Sequence, residues 1–420
     1  MIGRLDTSNR SATLIGAGVS GLLLGYALKK KGWSVRILER SRRAGGLIET
    51  RRTPAGPAET AAHSLLVTPA MEAFFEELGV ALSPVHPGSR ARYIWRKGKM
   101  RKFPLTFAES VHTLIRFFSR PARPVDPDTA TLADWCEAHL GKPALEFLLS
   151  PFVTGVYAAS PHELLLKSAF PSLVPGDPSR SLFWNLFLDK SRKKRPRSRM
   201  MAPTQGMGAL IDRLRSRLEN EIEYNCNIES PPEVANLIFC TPAPDLANLI
   251  APADSLSANA LKSIRYSPII TCTVFIPASS FRGAPPRGVG VLIPRNEGLR
   301  ILGVLFNSSA FPGRTTGRDL HSFTVMAGGT GDPTVLDLPD AELTDLIGRD
   351  LDTLFGLCGN LHSIEITRWK SAIPVYSKEL GDARALLEKG ICSEPGRMVF
   401  TNFSKDVSLR ALIQALDHLE

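Results

Sequence analysis

Three glycines and one acid are the residues best placed for chemistry. In TLIGAGVSGLLLGYALKKKGWSVRILERS, residues 13–41, Gly16, Gly18 and Gly21 form a GxGxxG, and Glu39 lies 18 residues beyond the third glycine. At that spacing the first glycine allows a tight turn, and the second lets backbone approach a pyrophosphate. The third lets helix pack closely on strand, while the helix N-terminus offers free N–H donors and a positive dipole end. An acid about 20 residues on can hold a ribose hydroxyl. Dinucleotide binding is the chemistry so outlined; glycines kept only for packing are the bland alternative.

Three elements must position those residues. Leu14 and Ile15 end a first strand, Leu22 to Lys31 reads as a helix, and Ser34 to Leu38 reads as a second strand that Glu39 closes. Further along, MEAFFEEL at 71–78 has helical spacing, and RYIWRKGKMRKFP at 92–104 predicts a hairpin turning at Lys97-Gly98. A helical stretch follows over roughly 107–190, rich in Leu and Phe and read mostly as core, with a minority free to form an exposed apolar patch. VANLIFCTPAPDLANLI, 234–250, reads as a buried strand, a turn and a helix. Residues 264–376 alternate β-like runs with Gly/Pro turns, the pattern of an antiparallel sheet, interrupted by a helix at 340–356. In the last stretch Leu409, Leu412, Ile413, Leu416 and Leu419 share one helical face.

A chain of 420 residues can hold two or three domains with substantial cores. No run approaches 18 uninterrupted apolar residues, and MIGRLDTSNRSA lacks the apolar region of a signal peptide, so a cytoplasmic protein is expected. The six cysteines (136, 226, 240, 272, 358, 392) have no ligand spacing and read as reduced thiols; no metal is expected. The net charge of +10 gathers in two segments. One spans the hairpin, with Arg90, Arg92, Arg96, Lys97, Lys99, Arg101 and Lys102; the other is KSRKKRPRSR, 190–199. Such a run is most often a solvated loop. Its functional readings, in falling order, are an anionic membrane surface, a polycarboxylate substrate and nucleic acid. It has no interleaved aromatics and its proline breaks a recognition helix, so no nucleic acid partner is expected.

Arg43 followed by Gly45 and Gly46 resembles the extended motif of the flavin amine oxidase superfamily, in which a second loop adds backbone donors and a cation to the diphosphate. A nicotinamide enzyme has no need of it, so FAD is the expected cofactor. Taken with PFVTGVYAASPHELLLKSAFPSL (151–173), RYIWRKGKMRKFP, LGVLFNSSAFPGR (302–314), MAGGTGDP (326–333) and WKSAIPVY (369–376), the chain resembles the protoporphyrinogen oxidase family over nearly its whole length. The resemblance implies an α/β fold with a Rossmann-like discontinuous FAD-binding domain, an antiparallel β-sheet substrate domain and a helical, membrane-associating domain. The expected boundaries are 1–82, 201–258 and 381–420 for the FAD domain. Residues 83–105 and 259–380 would form the substrate domain, and 106–200 the helical one. It also implies oxidation of protoporphyrinogen IX to protoporphyrin IX in haem biosynthesis. Hydride would pass to flavin N5 in three two-electron rounds, with dioxygen reoxidising the flavin to give hydrogen peroxide. The flavin carries such redox chemistry, so no catalytic side chain is assigned.

Residue by residue, Gly16, Gly18, Gly21, Glu39, Arg43, Gly45 and Gly46 match the family's FAD positions. Gly206 and Met207 match its flavin-proximal turn, Ile228 falls where backbone meets adenine, and Val407 and Ser408 keep the start of a C-terminal helix facing the flavin. Arg92 matches the cation for a porphyrinogen propionate, with one more exposed hairpin arginine as the alternative; Leu305 and Phe306 are candidate walls for the tetrapyrrole. His63, in AETAAHSL, resembles a segment beside the flavin but reads as structural rather than as a base. The C-terminus departs from the pattern, with Thr401 and Lys405-Asp406 in place of glycines. The implied partners are a porphyrinogen, dioxygen and an anionic membrane surface on the inner face of the cell membrane, with a homodimer or a haem-pathway enzyme as protein partner. Coproporphyrinogen as substrate, an amine oxidase or carotenoid desaturase activity, and a cofactor-poor non-catalytic homologue remain as alternatives.

Overall fold

The computed structural model describes residues 1–174, 176–188, 197–359, 361–404 and 408–416. Lys190 to Arg195 of the basic run, Lys405, Asp406, Val407 and Leu419 therefore lie outside the described residues.

Apolar runs that alternate with helices fold into a six-stranded sheet. Its order is Ile2–Arg4, Arg397–Val399, Leu237–Phe239, Ser11–Ile15, Ser34–Leu38 and Ile222–Glu223. Every neighbouring pair is parallel except the first, where Ile2 stands opposite Val399. Strands covered on both faces need continuous apolar sequence, and Leu14, Ile37, Ile238 and Val399 are fully buried. The sheet gathers strands from three stretches far apart in the chain, which makes this layer discontinuous. The edge strand Ile2–Arg4 carries too few residues for sequence periodicity to reveal it.

A second, seven-stranded sheet runs Ser363–Pro374, Tyr266–Pro277, Leu320–Gly328, Ile301–Leu305, Gly290–Leu292, Arg92–Arg96 and Lys99–Arg101. The hairpin at 92–101 thus joins strands from 200 residues later. Its pairing with Gly290–Leu292 is parallel, which departs from the wholly antiparallel sheet expected. The hairpin reaches the sheet through a long excursion rather than a tight turn, so nothing local dictates its direction. The helix Asp340–Phe355 covers one face, burying Leu343, Ile347 and Leu351 against Phe323 and its neighbours. The other face looks towards the first sheet.

The helical stretch comprises Phe107–Phe118, Leu132–His139, Ser150–Tyr157, Leu166–Ala169 and Leu182–Leu188. A wide π-type turn over Leu145–Leu149 leads into Pro151, whose ring would clash with the Phe147 carbonyl in an unbroken α-helix. Most of this region is core, and Phe107–Phe118 is the largest exception. Thr106 and Glu109 cap Phe107–Phe118 reciprocally, yet none of its residues is buried. Phe107, Val111, Leu114, Ile115 and Phe118 fall at helical spacing on one face and are exposed, Phe107 at 86%. The chain returns from this region on a strand starting at Arg199, two residues before the boundary expected at 201.

Candidate functional site

A single cleft of about 1840 Å³ runs between the two large sheets and is roofed by the helical region. Its near end is built from backbone. Strand Ser11–Ile15 delivers the chain into the turn at Gly16, and helix Val19–Lys30 begins at Gly18 with no side chain capping it. Gly18, Val19 and Ser20 line the cleft, so the uncapped first turn borders it. The neighbouring glycines do different work. A Cβ on Gly18 would meet nothing within 4 Å, whereas one on Gly21 would lie 2.0 Å from the Gly16 carbonyl oxygen. Gly18 leaves space for a ligand; Gly21, which does not line the cleft, lets helix pack on strand.

The second glycine loop closes over the first. The Gly45 N–H donates to the Ala17 carbonyl at 2.8 Å, and Gly16, Gly45 and Gly46 all line the cleft. Arg43 wraps back on this loop, donating to the Gly46 carbonyl at 2.9 Å, with Glu49 at 3.8 Å. Glu39 stands at the end of its strand. Its carboxylate accepts from the Ala17 N–H at 2.7 Å and from the Ser41 N–H and hydroxyl at 2.9 and 2.7 Å. Ile228 and Ser408 complete this end, with Thr401 and Asn402 from the C-terminal segment. The Tyr376 hydroxyl donates to the Asn402 carbonyl at 3.2 Å, and the Arg384 Nε donates to the Phe403 carbonyl at 2.6 Å, so this segment is held from behind.

The far end is built from side chains. Ile269, Thr271, Met326, Trp369 and Ile373 come from three long strands, with Leu305 beside them. Leu148, Phe152 and Val156 come from the helical region, and Arg92 and Lys102 from the hairpin rim. Trp369 donates its indole N–H to the Thr60 carbonyl at 2.7 Å, tying the two ends together. Sequence reading singled out only Arg92 and Leu305 here. Trp369 and Met326 sat inside motifs already noted, but nothing in the letters said that they share a cavity.

Two expectations are corrected. Phe306 does not face the cleft; it is fully buried in the aromatic core with Tyr93, Phe323 and Phe355. Phe306 lies just past the strand Ile301–Leu305, where the chain turns into the short helix Asn307–Ala310 and carries the ring into the core. Gly206 and Met207 do not line it either. The Met207 N–H donates to Glu59 at 3.0 Å, and a Cβ on Gly206 would press within 2.5 Å of Thr50. That turn packs against the ribbon Thr50–Thr53 and Gly56–Glu59, where Glu59 and Arg314 form a buried ion pair of 2.8 Å.

His63 lines the cleft between the two ends, with Nδ1 3.2 Å from the Thr324 hydroxyl. Burial, with the charge of Arg314 adding to it, pushes its pKa down to about 3, so it is neutral at pH 7. Its Nε2 is buried without a protein partner, as are Thr241 Oγ1 and Thr401 Oγ1. All three belong to residues lining this one cleft. Buried polar atoms are ordinarily satisfied, so orphans gathered here, together with the open space at Gly18, fit a bound dinucleotide. The residues present fit FAD.

A flavin containing amine oxidoreductase family matches residues 19–230 and 232–400. The chain is similar to protoporphyrinogen oxidase 2, chloroplastic/mitochondrial, of Arabidopsis thaliana, at 24% identity covering 93% of this chain and 89% of that one. It is 26% identical to the chloroplastic protoporphyrinogen oxidase of Nicotiana tabacum, covering 80% and 71%. In three dimensions it is similar to a protein from Exiguobacterium sp. provisionally assigned as a protoporphyrinogen oxidase. The TM-score is 0.79 at 17% identity, covering 98% of both chains.

Proposed function

The chain belongs to the family of flavin containing amine oxidoreductases, and from that premise we propose that this FAD-dependent oxidoreductase converts protoporphyrinogen IX to protoporphyrin IX in haem biosynthesis, with dioxygen taking the electrons. One observation carries the reading: the dinucleotide cradle opens without a break into an apolar slot with a cation at its rim. At about 1840 Å³ the cleft exceeds the roughly 300–1,000 Å³ of a typical small-molecule site, which leaves room for a cofactor and a large flat substrate together.

FAD, when bound, supplies the hydride acceptor, and the protein supplies binding, orientation and electrostatics. Gly18 and the helix N-terminus would receive the diphosphate, and Glu39 the ribose. Ile269, Met326 and Leu305 would cover the macrocycle and exclude water. Arg92 is exposed, and among the described residues it has no carboxylate within ion-pair distance, so its guanidinium is free to take a propionate. Neutral His63, engaged through Nδ1, is not needed as a base.

The test is direct. The purified protein should be yellow, release FAD on denaturation and generate porphyrin fluorescence from protoporphyrinogen in air, with hydrogen peroxide as co-product. A yellow protein that oxidises amines but no porphyrinogen would overturn this reading in favour of another family activity. A colourless one would favour a non-catalytic homologue.

The exposed face of Phe107–Phe118 supports a second reading, attachment to a lipid surface. No helix among the described residues is long and apolar enough to cross a membrane. The apolar stripe instead continues onto Leu182–Leu188, where Phe183 packs on Phe118 at 4.8 Å and Trp184 and Phe187 are exposed. It is flanked by the exposed cations Lys97, Lys99, Arg101 and Lys102. That combination suits the plane of an anionic interface.

A further inference from the structure

The hydrogen bonds behind His63 decide which of its ring nitrogens carries a proton. His63 follows the strand Gly56–Glu59, and its ring reaches the second sheet, where Nδ1 lies 3.2 Å from the Thr324 hydroxyl. The Asn307 side-chain N–H donates to the Thr324 oxygen at 2.9 Å and to the Ser322 oxygen at 3.2 Å. Thr324 is fully buried, so its O–H needs an acceptor, and an amide N–H cannot be one. Nδ1 of His63 can. Thr324 therefore donates and Nδ1 accepts.

A neutral imidazole carries one proton, and burial beside the Arg314 charge keeps His63 neutral at pH 7. With Nδ1 accepting, that proton sits on Nε2. Nε2 has no protein partner, yet His63 lines the cleft. A buried N–H without an acceptor is destabilising, so this donor is matched to something the cleft receives. His139 shows that an orphan nitrogen alone is not enough. Both of its ring nitrogens are unpartnered, but it packs on Trp135 in the helical region and does not line the cleft. His63 stands where a ligand passes. The Thr60 carbonyl, three residues before it, accepts from the Trp369 indole, and Ile269, Leu305 and Met326 line the far end. With the diphosphate at Gly18 and the ribose at Glu39, the part of FAD that extends towards that end is the flavin.

We propose that His63 tunes the flavin: its Nε2–H, fixed by Asn307 and Thr324, donates to a ring oxygen or nitrogen whose negative charge grows on two-electron reduction. Such a bond is stronger to the reduced ring than to the oxidised one, because hydrogen bonds to charged acceptors are the stronger kind. It therefore raises the midpoint potential and makes the flavin a better hydride acceptor. No proton leaves His63 in this role. Asn307 and Thr324 act through it as positioning residues. The proposal rests on FAD binding and is independent of which substrate is oxidised.

Two measurements on the FAD-loaded protein decide it, and neither uses turnover. Nitrogen NMR of protein labelled at histidine reads the tautomers, with the His63 signals identified by their loss in His63→Gln. At pH 7 His63 should show a protonated Nε2 and a bare Nδ1. A protonated Nδ1 would overturn the proposal without any variant having to fold. The second measurement is the flavin midpoint potential by dye equilibration. His63→Leu should shift the equilibrium towards oxidised flavin by about 10- to 100-fold, the loss of one charge-assisted hydrogen bond. At about 30 mV per tenfold for two electrons, that is a fall of about 30–60 mV. His63→Gln, whose amide N–H reaches the Nε2 position, should recover most of it. An unchanged potential in His63→Leu would mean that the donor meets no flavin atom. An equal fall in both variants would make His63 merely structural, and a rise would mean that the bond favours oxidised flavin. Each of these overturns the proposal. A protein that takes up no FAD removes the premise and the proposal together.

Discussion

The two ends of the cleft are built by different physics. The cradle is made of backbone: turn, uncapped helix start and second glycine loop lie within residues 16–46 and owe their shape to local chain geometry. The far end is made of side chains brought from the hairpin, three long strands and the helical region. Arginines on one strand show what that means. Arg92 and Arg96 are four residues apart on Arg92–Arg96, yet Arg92 is exposed at the cleft rim. Arg96 is only 5% exposed, holds Glu109 through two bonds of 2.7 Å, donates to the Pro104 carbonyl and lies 3.5 Å over the Phe147 ring. Residue type and strand position are shared; neighbours from elsewhere in the chain decide whether the charge holds the fold or remains free to bind.

The largest effect should come from breaking the cradle alone. Gly18→Val should leave far-ultraviolet circular dichroism intact and reduce flavin absorbance after gel filtration to background, since its new carbons point into open space. Gly21→Val, three residues on, should instead prevent folding, because its Cβ has no room beside Gly16. A folded, yellow Gly18→Val protein would show that the diphosphate lies elsewhere.

The arginine comparison predicts opposite readouts from the same chemical change. Arg96→Ala should cost about 3–5 kcal/mol in denaturant unfolding, the usual range when a buried pair loses one partner. Hydrogen bonding to Arg96 holds the Glu109 carboxyl down at about 2, below its ordinary value. A depressed folded-state pKa means that this contribution is present above about pH 4.5 and fades as pH falls towards 2. Arg92→Ala should change stability by less than about 0.5 kcal/mol. It should raise KM for a porphyrinogen about 10- to 150-fold, the equivalent of one charge-assisted hydrogen bond. Arg92→Lys should recover only part, since an ammonium lacks the planar fork. Unchanged kinetics in the alanine variant would remove Arg92 from the site.

His63, where the two ends meet, gives a smaller effect with a definite sign. Its folded-state pKa of about 3 lies below the unfolded value near 6.5, so the unfolded chain binds the extra proton between them. Stability should therefore be level above about pH 6.5 and fall on acidification, by on the order of 1 kcal/mol at pH 5.5 from this residue alone. Urea melts of His63→Gln at pH 7.5 and 5.5 should show a correspondingly smaller loss; an identical loss would place the acid sensitivity elsewhere.

The smallest expected effect concerns the exposed helix. Phe107→Ser should weaken sedimentation with anionic vesicles by roughly three- to tenfold, because one partly inserted ring contributes a fraction of a full burial. Detergent-dispersed activity should be unaffected. Equal binding by the variant and wild type would mean that this face does not meet lipid.

The cradle was legible from sequence because its information is local. GxGxxG, the strand before it and the acid after it are fixed by turn sterics, helix-start chemistry and the short reach of one βαβ unit, so Gly16, Gly18 and Glu39 line the cleft as the spacing predicts. Buried parallel strands were legible for the same reason, as apolar runs of the right length. Only the tertiary structure decided which side chains meet across long gaps. Phe306 looks like a wall until it packs into the aromatic core with Phe323 and Phe355, and Gly206 looks like a ligand contact until Thr50 takes the space. The apolar stripe of Phe107–Phe118 reads as core by periodicity, yet Phe107, Val111, Leu114 and Ile115 stay exposed. Periodicity reports that a face is apolar, and what lies against that face depends on how distant segments pack.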